Sequence, residues 1–167
     1  MTIFKLGLLG AAAMTLAGCV VVDERAASVP VADVSPPTAM MAEEARAIVE
    51  VRNDDFERLF AAGETMELAS DLYTIDGRIV PPDAPDQVGA EAIGAYWTAA
   101  RAAVGSVDLQ TVEAVPVGEG HIAERTHVTL FAPDGTTIGG GKAVILWTLE
   151  DGVWKMQWDS WNDGPVD

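Results

Sequence analysis

Three titratable residues in this sequence stand where they could do chemistry: His127, Arg125 and Asp159. In the segment His121–Phe131 a period of two puts Arg125, His127 and Thr129 on one face of a strand, opposite Ile122, Val128 and Leu130. An imidazole there could act as a base near neutral pH, with the Arg125 guanidinium orienting an anionic group beside it. A plain solvent-facing polar side gives the same pattern. Asp159 follows Trp158 and precedes Ser160, Trp161 and Asn162. A carboxylate in an aromatic setting is pushed toward its protonated form and can serve as general acid or base. Alternatively, Asp159 and Asn162 fasten a terminal strand through side-chain hydrogen bonds. Asp76-Gly77 reads as a turn or bulge, with a pocket carboxylate near Tyr73 as its alternative.

Other chemistries lack their residues. Six residues of regular strand separate His121 from His127, roughly 20 Å, so the two cannot share a metal ion. The single cysteine leaves no Cys pair, there is no HExxH motif, and nothing resembles an EF-hand loop. We expect no metal and no cofactor. Gly139-Gly140-Gly141-Lys142 fails as a phosphate loop, because Thr136 stands where its first Gly should be and Ala143 follows the Lys. It reads as a bend in a strand.

The elements that must position these groups are legible in order. Met41 to Ala62 has a helical stripe of Met41, Ala45, Ile48, Val49, Arg52, Phe56, Leu59 and Phe60, with Gly63 as its C-cap. A short helix is expected over Glu64–Leu72, then a strand over Tyr73–Val80 stopped by Pro81-Pro82, and a loop over Asp83–Gly89. A third helix is expected from Ala90 to Val104, with Ile93, Tyr96, Trp97, Ala100 and Val104 along one side. Four strands follow: Val107–Val117, His121–Phe131, Thr137–Leu149 and Val153–Trp161. The turn signals Pro133-Asp134-Gly135 and Glu150-Asp151-Gly152 separate the later ones. In the last strand, alternation puts Trp154, Met156 and Trp158 on one face and Lys155, Gln157, Asp159 and Trp161 on the other. Helices followed by a run of antiparallel strands make an α+β plan. Tyr73, Trp97, Trp147 and Trp158 supply either core or the lining of an apolar ligand cavity, and with Arg125 and His127 they form the expected pocket.

The chain has 167 residues, 49% of them hydrophobic and 22% charged, enough for one packed domain with extensions. Its formal net charge of −16 argues against a nucleic-acid partner, whose phosphates need a basic surface. Lys5 and the apolar run Leu6–Ala17 read as a signal peptide too short to span a bilayer. That run ends in Leu16-Ala17-Gly18-Cys19, which resembles the lipobox of bacterial lipoproteins. The resemblance implies cleavage before Cys19, acylation of Cys19, and a periplasmic domain held to a membrane by lipid. Val20 in place of Asp implies sorting to the inner leaflet of the outer membrane. With prolines at positions 30, 36 and 37, the next stretch reads as a tether. The expected layout is 1–18 signal peptide, 19–39 lipidated Cys and tether, 40–162 folded domain and 163–167 tail.

Several loose motifs, taken in order, carry a wider resemblance. They are Phe60-Ala61-Ala62-Gly63-Glu64, Asp71-Leu72-Tyr73, Ile79-Val80-Pro81-Pro82, and Gly89-Ala90-Glu91-Ala92-Ile93 with Tyr96-Trp97. Near the C-terminus they are Gly141-Lys142, Trp147, Gly152, Trp154-Lys155 and Asp159-Ser160-Trp161-Asn162. Together they resemble the SnoaL-like and ketosteroid isomerase-like group of the nuclear transport factor 2-like superfamily. That resemblance implies a cone of three helices on a strongly curved, mostly antiparallel sheet, enclosing a pocket, and a homodimer. On the pattern of the isomerases, Phe56 falls at the position of the donor Tyr and Pro81 at that of the base. Neither can exchange a proton, so the isomerase mechanism is not expected. The expected function is non-catalytic binding of a small apolar ligand or a protein partner. The alternative is a SnoaL-like acid–base enzyme of isomerase, cyclase or hydratase type, using Asp159 or His127.

Overall fold

The computed structural model describes residues 40–165, so the expected signal peptide, Cys19 and the tether lie outside the described residues. Helices α1 (Ala42–Ala62) and α2 (Thr65–Leu72) lead into strands β1 (Tyr73–Val80) and β2 (Gln87–Val88). Helix α3 (Gly89–Ala100) and the strands β3 (Ser106–Pro116), β4 (His121–Phe131), β5 (Thr137–Glu150) and β6 (Val153–Asp163) follow. One six-stranded sheet runs β2-β1-β6-β5-β4-β3, antiparallel at every pairing but the parallel β1–β6. This is the α+β architecture expected, three helices against a mostly antiparallel sheet.

Local physics explains most element ends. Ala45, Val49, Asn53, Phe56, Leu59 and Phe60 form the buried stripe of α1. Asn53, not Arg52 or Met41, completes that stripe, and Met41 is exposed. Gly63 closes α1 at φ 78°, with its N–H donating to Phe60 O and the Glu64 N–H to Leu59 O. That pair of bonds is a Schellman cap, which needs a left-handed residue. Asp151 and Gly152 both take positive φ between the paired Glu150 and Val153, the two-residue turn whose twist suits a hairpin.

Three expectations are corrected. The loop over Asp83–Gly89 contains the short strand β2, paired with Arg78 and Ile79. Helix α3 ends at Ala100 rather than Val104, passing through turns at residues 101–103. Strand β6 runs on to Asp163, which pairs with Gly141 one residue into the expected tail.

Side chains of α1 cover the open edge of β3. The Arg46 guanidinium donates to the carbonyls of Thr111 and Val112, at 2.9 and 2.7 Å, and Glu57 accepts from the Leu109 N–H at 2.6 Å. Side chains that occupy edge backbone groups blunt that part of the edge as a template for another chain.

The pairings among the five long strands each carry a register shift. Such bulges bend and twist strands, which suits a sheet wrapped over helices. One of them decides the site. Trp147 pairs with Met156, but Leu146 pairs with Trp158, so Gln157 is an extra residue in β6. Strict alternation would put Met156 and Asp159 on opposite faces. The bulge puts both inside, buried at 1% and 6% exposure, and turns Trp158 outward.

Candidate functional site

Between the helices and the inner face of the sheet lies a cavity of about 170 Å³. For scale, an engineered apolar cavity of roughly 150 Å³ holds a benzene molecule. Helix α1 contributes Phe56 and Phe60 to the wall, and α3 contributes Tyr96 and Trp97. These rings pack on one another. Trp97 meets Phe56, Phe60 and Tyr96 edge to face at 5.5, 6.0 and 5.1 Å and stacks on Trp161 at 5.5 Å. The sheet side carries Thr126, Val128, Ala143, Ile145, Met156 and Asp159. Exposed Asp163 also contributes to the wall.

Asp159 is the buried carboxylate of this wall. The Tyr73 hydroxyl donates to its Oδ2 at 2.8 Å. Burial pushes the Asp159 pKa up to about 6; the Tyr73 hydrogen bond pulls the other way, and the charge of Glu124 adds to the rise. Burial, then the neighbouring Asp159 charge, raises the Tyr73 phenol well above its ordinary value, so it stays a donor at any physiological pH. The Trp97 indole N–H interacts weakly with that phenol but lies outside normal hydrogen-bond geometry, leaving a buried donor without an acceptor. Tyr96 is also raised, chiefly by burial and then by Asp159 and Asp163.

A second buried carboxylate stands on the far side of Ile145. Ile145 pairs with Glu124 on β4 and with Asp159 on β6, so the two acids flank it in one row of the sheet. Glu124 is 1% exposed and fully engaged. Its Oε1 accepts from Asn53 Nδ2 and Thr111 Oγ1, both at 2.7 Å, and its Oε2 accepts from Trp147 Nε1 at 2.8 Å. Three donors on one carboxyl group make a structural clamp tying α1, β3, β4 and β5 together.

The residues expected from sequence divide between the two sides of the sheet. Trp97 and Asp159 line the cavity, and Tyr73 lies behind Asp159 as its donor. His127 and Arg125 do not face it. Thr126, Val128 and Leu130 take the inner register of β4, so the polar face of that strand is the outer one. There Arg125 approaches Glu113 at 3.7 Å, and His127 stands between Gln110 and Lys142. Trp158 is 56% exposed on the outer face, displaced there by the Gln157 bulge. Trp147 is fully buried, but it packs in the core and donates to Glu124 instead of lining the cavity. Asp76 is exposed and accepts from Thr74, so it is no pocket carboxylate. Among the described residues no group of three or more His, Cys, Asp and Glu could hold a metal ion.

Sequence reasoning missed Glu124, Asn53, Phe56, Phe60 and Trp161 as members of the site or its support. Glu124 did leave a signal, as a charged residue at the apolar register shared by Ile122, Val128 and Leu130. Asn53 left a weaker one, at helical spacing between Val49 and Phe56.

No family model and no curated protein matches this sequence. Solved structures do resemble it. A ketosteroid isomerase-like protein from Erwinia carotovora atroseptica superposes with TM-score 0.62 at 17% identity, over 75% of this chain and all of its own. A protein of unknown function with a cystatin-like fold from Nostoc punctiforme gives 0.63 at 12% identity, over 76% of this chain and 96% of its own. An NTF2-like protein from Novosphingobium aromaticivorans gives 0.59 at 18%, over 71% of this chain and 81% of its own. At such identities the likeness speaks for architecture and not for activity. The described chain has the nuclear transport factor 2-like, cystatin-like α+β fold.

Proposed function

We propose that this domain takes up a small, mainly apolar molecule in the cavity under its helices and moves a proton on it with Asp159. The observation that carries the reading is one buried carboxylate, 6% exposed and hydrogen-bonded by Tyr73, in the wall of a mainly aromatic and aliphatic cavity. With a pKa near 6, Asp159 is ionised in most molecules at neutral pH, yet close enough to that pH to take a proton and give it back. Tyr73 holds the carboxylate in place and compensates its charge when it is ionised. An acid–base reaction without a cofactor fits this group. The fold's likeness to a protein named ketosteroid isomerase-like is consistent with that class. His127, on the outer face, has no part in it.

The test is a panel of single-ring enones and hydroxyketones followed by ultraviolet absorbance. Turnover by the wild-type protein that disappears in Asp159→Asn supports the reading. Turnover that survives the substitution ends it.

A second reading, binding without turnover, is favoured by one observation. Phe56 stands in the wall where the isomerase pattern has a donor Tyr, so no hydroxyl there can stabilise a developing oxyanion. In that case Asp159→Asn changes which ligands bind, and no member of the panel reacts.

Two further readings belong with this one. Leu16-Ala17-Gly18-Cys19 supports a lipid anchor, with the domain in the periplasm at the outer membrane. Cys19→Ser should release the protein from the membrane fraction, and membrane retention would sink the anchor. Val144 and Trp158, 60% and 56% exposed on the outer sheet face, suit a second copy of the chain and thus a homodimer. Sedimentation of Trp158→Lys against wild type tests that face.

A further inference from the structure

The electrostatics of the cavity narrow its ligand further, granted the reading that it takes a small molecule. Two buried carboxylates, Asp159 in the wall and Glu124 behind Ile145, flank one inner position of the sheet, and Asp163 is a second acid in the wall. Among the described residues no Lys, Arg or His lines the cavity. Arg101 stacks over Phe60 at 5.4 Å, but its guanidinium donates to the Gly105 carbonyl and the residue is not part of the wall. Glu124 receives its hydrogen bonds from Asn53, Thr111 and Trp147, none of them a cation. The other groups facing Asp159 are the phenols of Tyr73 and Tyr96, neutral at physiological pH because both are shifted upward. Among the described residues the wall therefore carries acidic groups and no cationic side chain, inside a chain of net charge −16.

The rest of the wall is what an organic cation prefers. Trp97, Trp161, Tyr96, Phe56 and Phe60 all contribute rings to the one cavity. Aromatic faces attract ammonium groups, the more so when water is excluded. We infer that the cavity is built for a small organic cation, a protonated amine on an apolar body, with the ammonium at Asp159 and the body among the rings of Trp97 and Trp161.

Three probes of one size and different charge decide the matter: protonated benzylamine, benzyl alcohol and benzoate. They are titrated near neutral pH into the full folded domain, with calorimetry and the fluorescence of Trp97 and Trp161 as readouts. Benzylammonium should bind about tenfold or more tightly than benzyl alcohol, and benzoate weakest. In Asp159→Asn the advantage of the cation should collapse to about twofold or less, with binding of the alcohol kept. Equal or tighter binding of the alcohol or of benzoate overturns the cation inference and leaves the pocket standing. A cation preference that survives Asp159→Asn overturns the place assigned to the ammonium. Failure of all three probes to bind overturns the pocket reading and this inference with it. The wild-type comparison decides between charges without any variant.

Discussion

Asp159 and Glu124 are the same chemistry in two settings, one strand apart on either side of Ile145. Glu124 receives three hydrogen bonds from three elements and is closed off from the cavity. Asp159 receives one, from Tyr73, and forms part of the cavity wall. A carboxylate whose acceptor sites are filled by fixed donors is structural, since its environment has already replaced water. A carboxylate buried with one donor is costly in the native state, and that cost is what moves its titration toward neutrality. Burial keeps Asp159 poised, and the clamped Glu124 beside it adds to the rise.

Removing the clamp should have the largest effect. Glu124→Leu strands the donors of Asn53, Thr111 and Trp147 in the core, and we expect a loss of about 3–5 kcal/mol in urea unfolding. It also removes a negative neighbour, so Asp159 should titrate below its value of about 6, read from its carboxyl carbon by NMR. An unchanged titration would mean that Glu124 and Asp159 do not communicate.

Asp159→Asn should act in the opposite direction. The native pKa near 6 lies above the ordinary 3.8, so the folded protein binds this proton more tightly than the unfolded chain. The stability linked to the group is greatest below about pH 4, falls as pH rises from 4 to 6, and stays low above that. At neutral pH the substitution should therefore stabilise the domain by up to about 3 kcal/mol, and near pH 4 by almost nothing. Destabilisation at neutral pH would show that Asp159 is a second clamp rather than a poised group.

Tyr73→Phe removes the one donor. It should cost about 1–3 kcal/mol above pH 7, where the carboxylate is charged, and less near pH 4. The Asp159 titration should move upward, because the hydrogen bond that lowered it is gone. A downward move would contradict the assigned role of Tyr73.

The smallest effect is expected on the other side of the sheet. His127→Ala, on the outer face of β4, should change stability by no more than about 0.5 kcal/mol and leave ligand binding in the cavity unaltered. Loss of binding there would reverse the assignment of the two faces.

Much of this was legible in the residues. Gly63 after a helical stripe, Asp151-Gly152 between β-prone runs and the alternation of His121–Phe131 rest on local backbone chemistry, and each of these elements lies where local chemistry puts it. Strand β2 was not legible, because two residues carry no period and gain their order from pairing with Arg78 and Ile79. The site was half legible. Asp159 stood out by its aromatic neighbours. The functional side of β4 could not be told from its sequence, since a polar strand face looks the same toward water or toward a pocket.

By itself the sequence determined the order and kind of every element but β2, and the acidic net charge, and it presents the aromatic side chains available to a core. Those depend on neighbours in the chain and on composition. Only the tertiary structure decided which groups meet. One extra residue, Gln157, reverses the alternation of β6 and brings Asp159 and Trp161 to the face of Met156. Whether a strand bulges is settled by its register against β5 and not by its own residues. The pairing of β5 with both β4 and β6 then places Glu124 and Asp159 in one row, 35 residues apart in the chain.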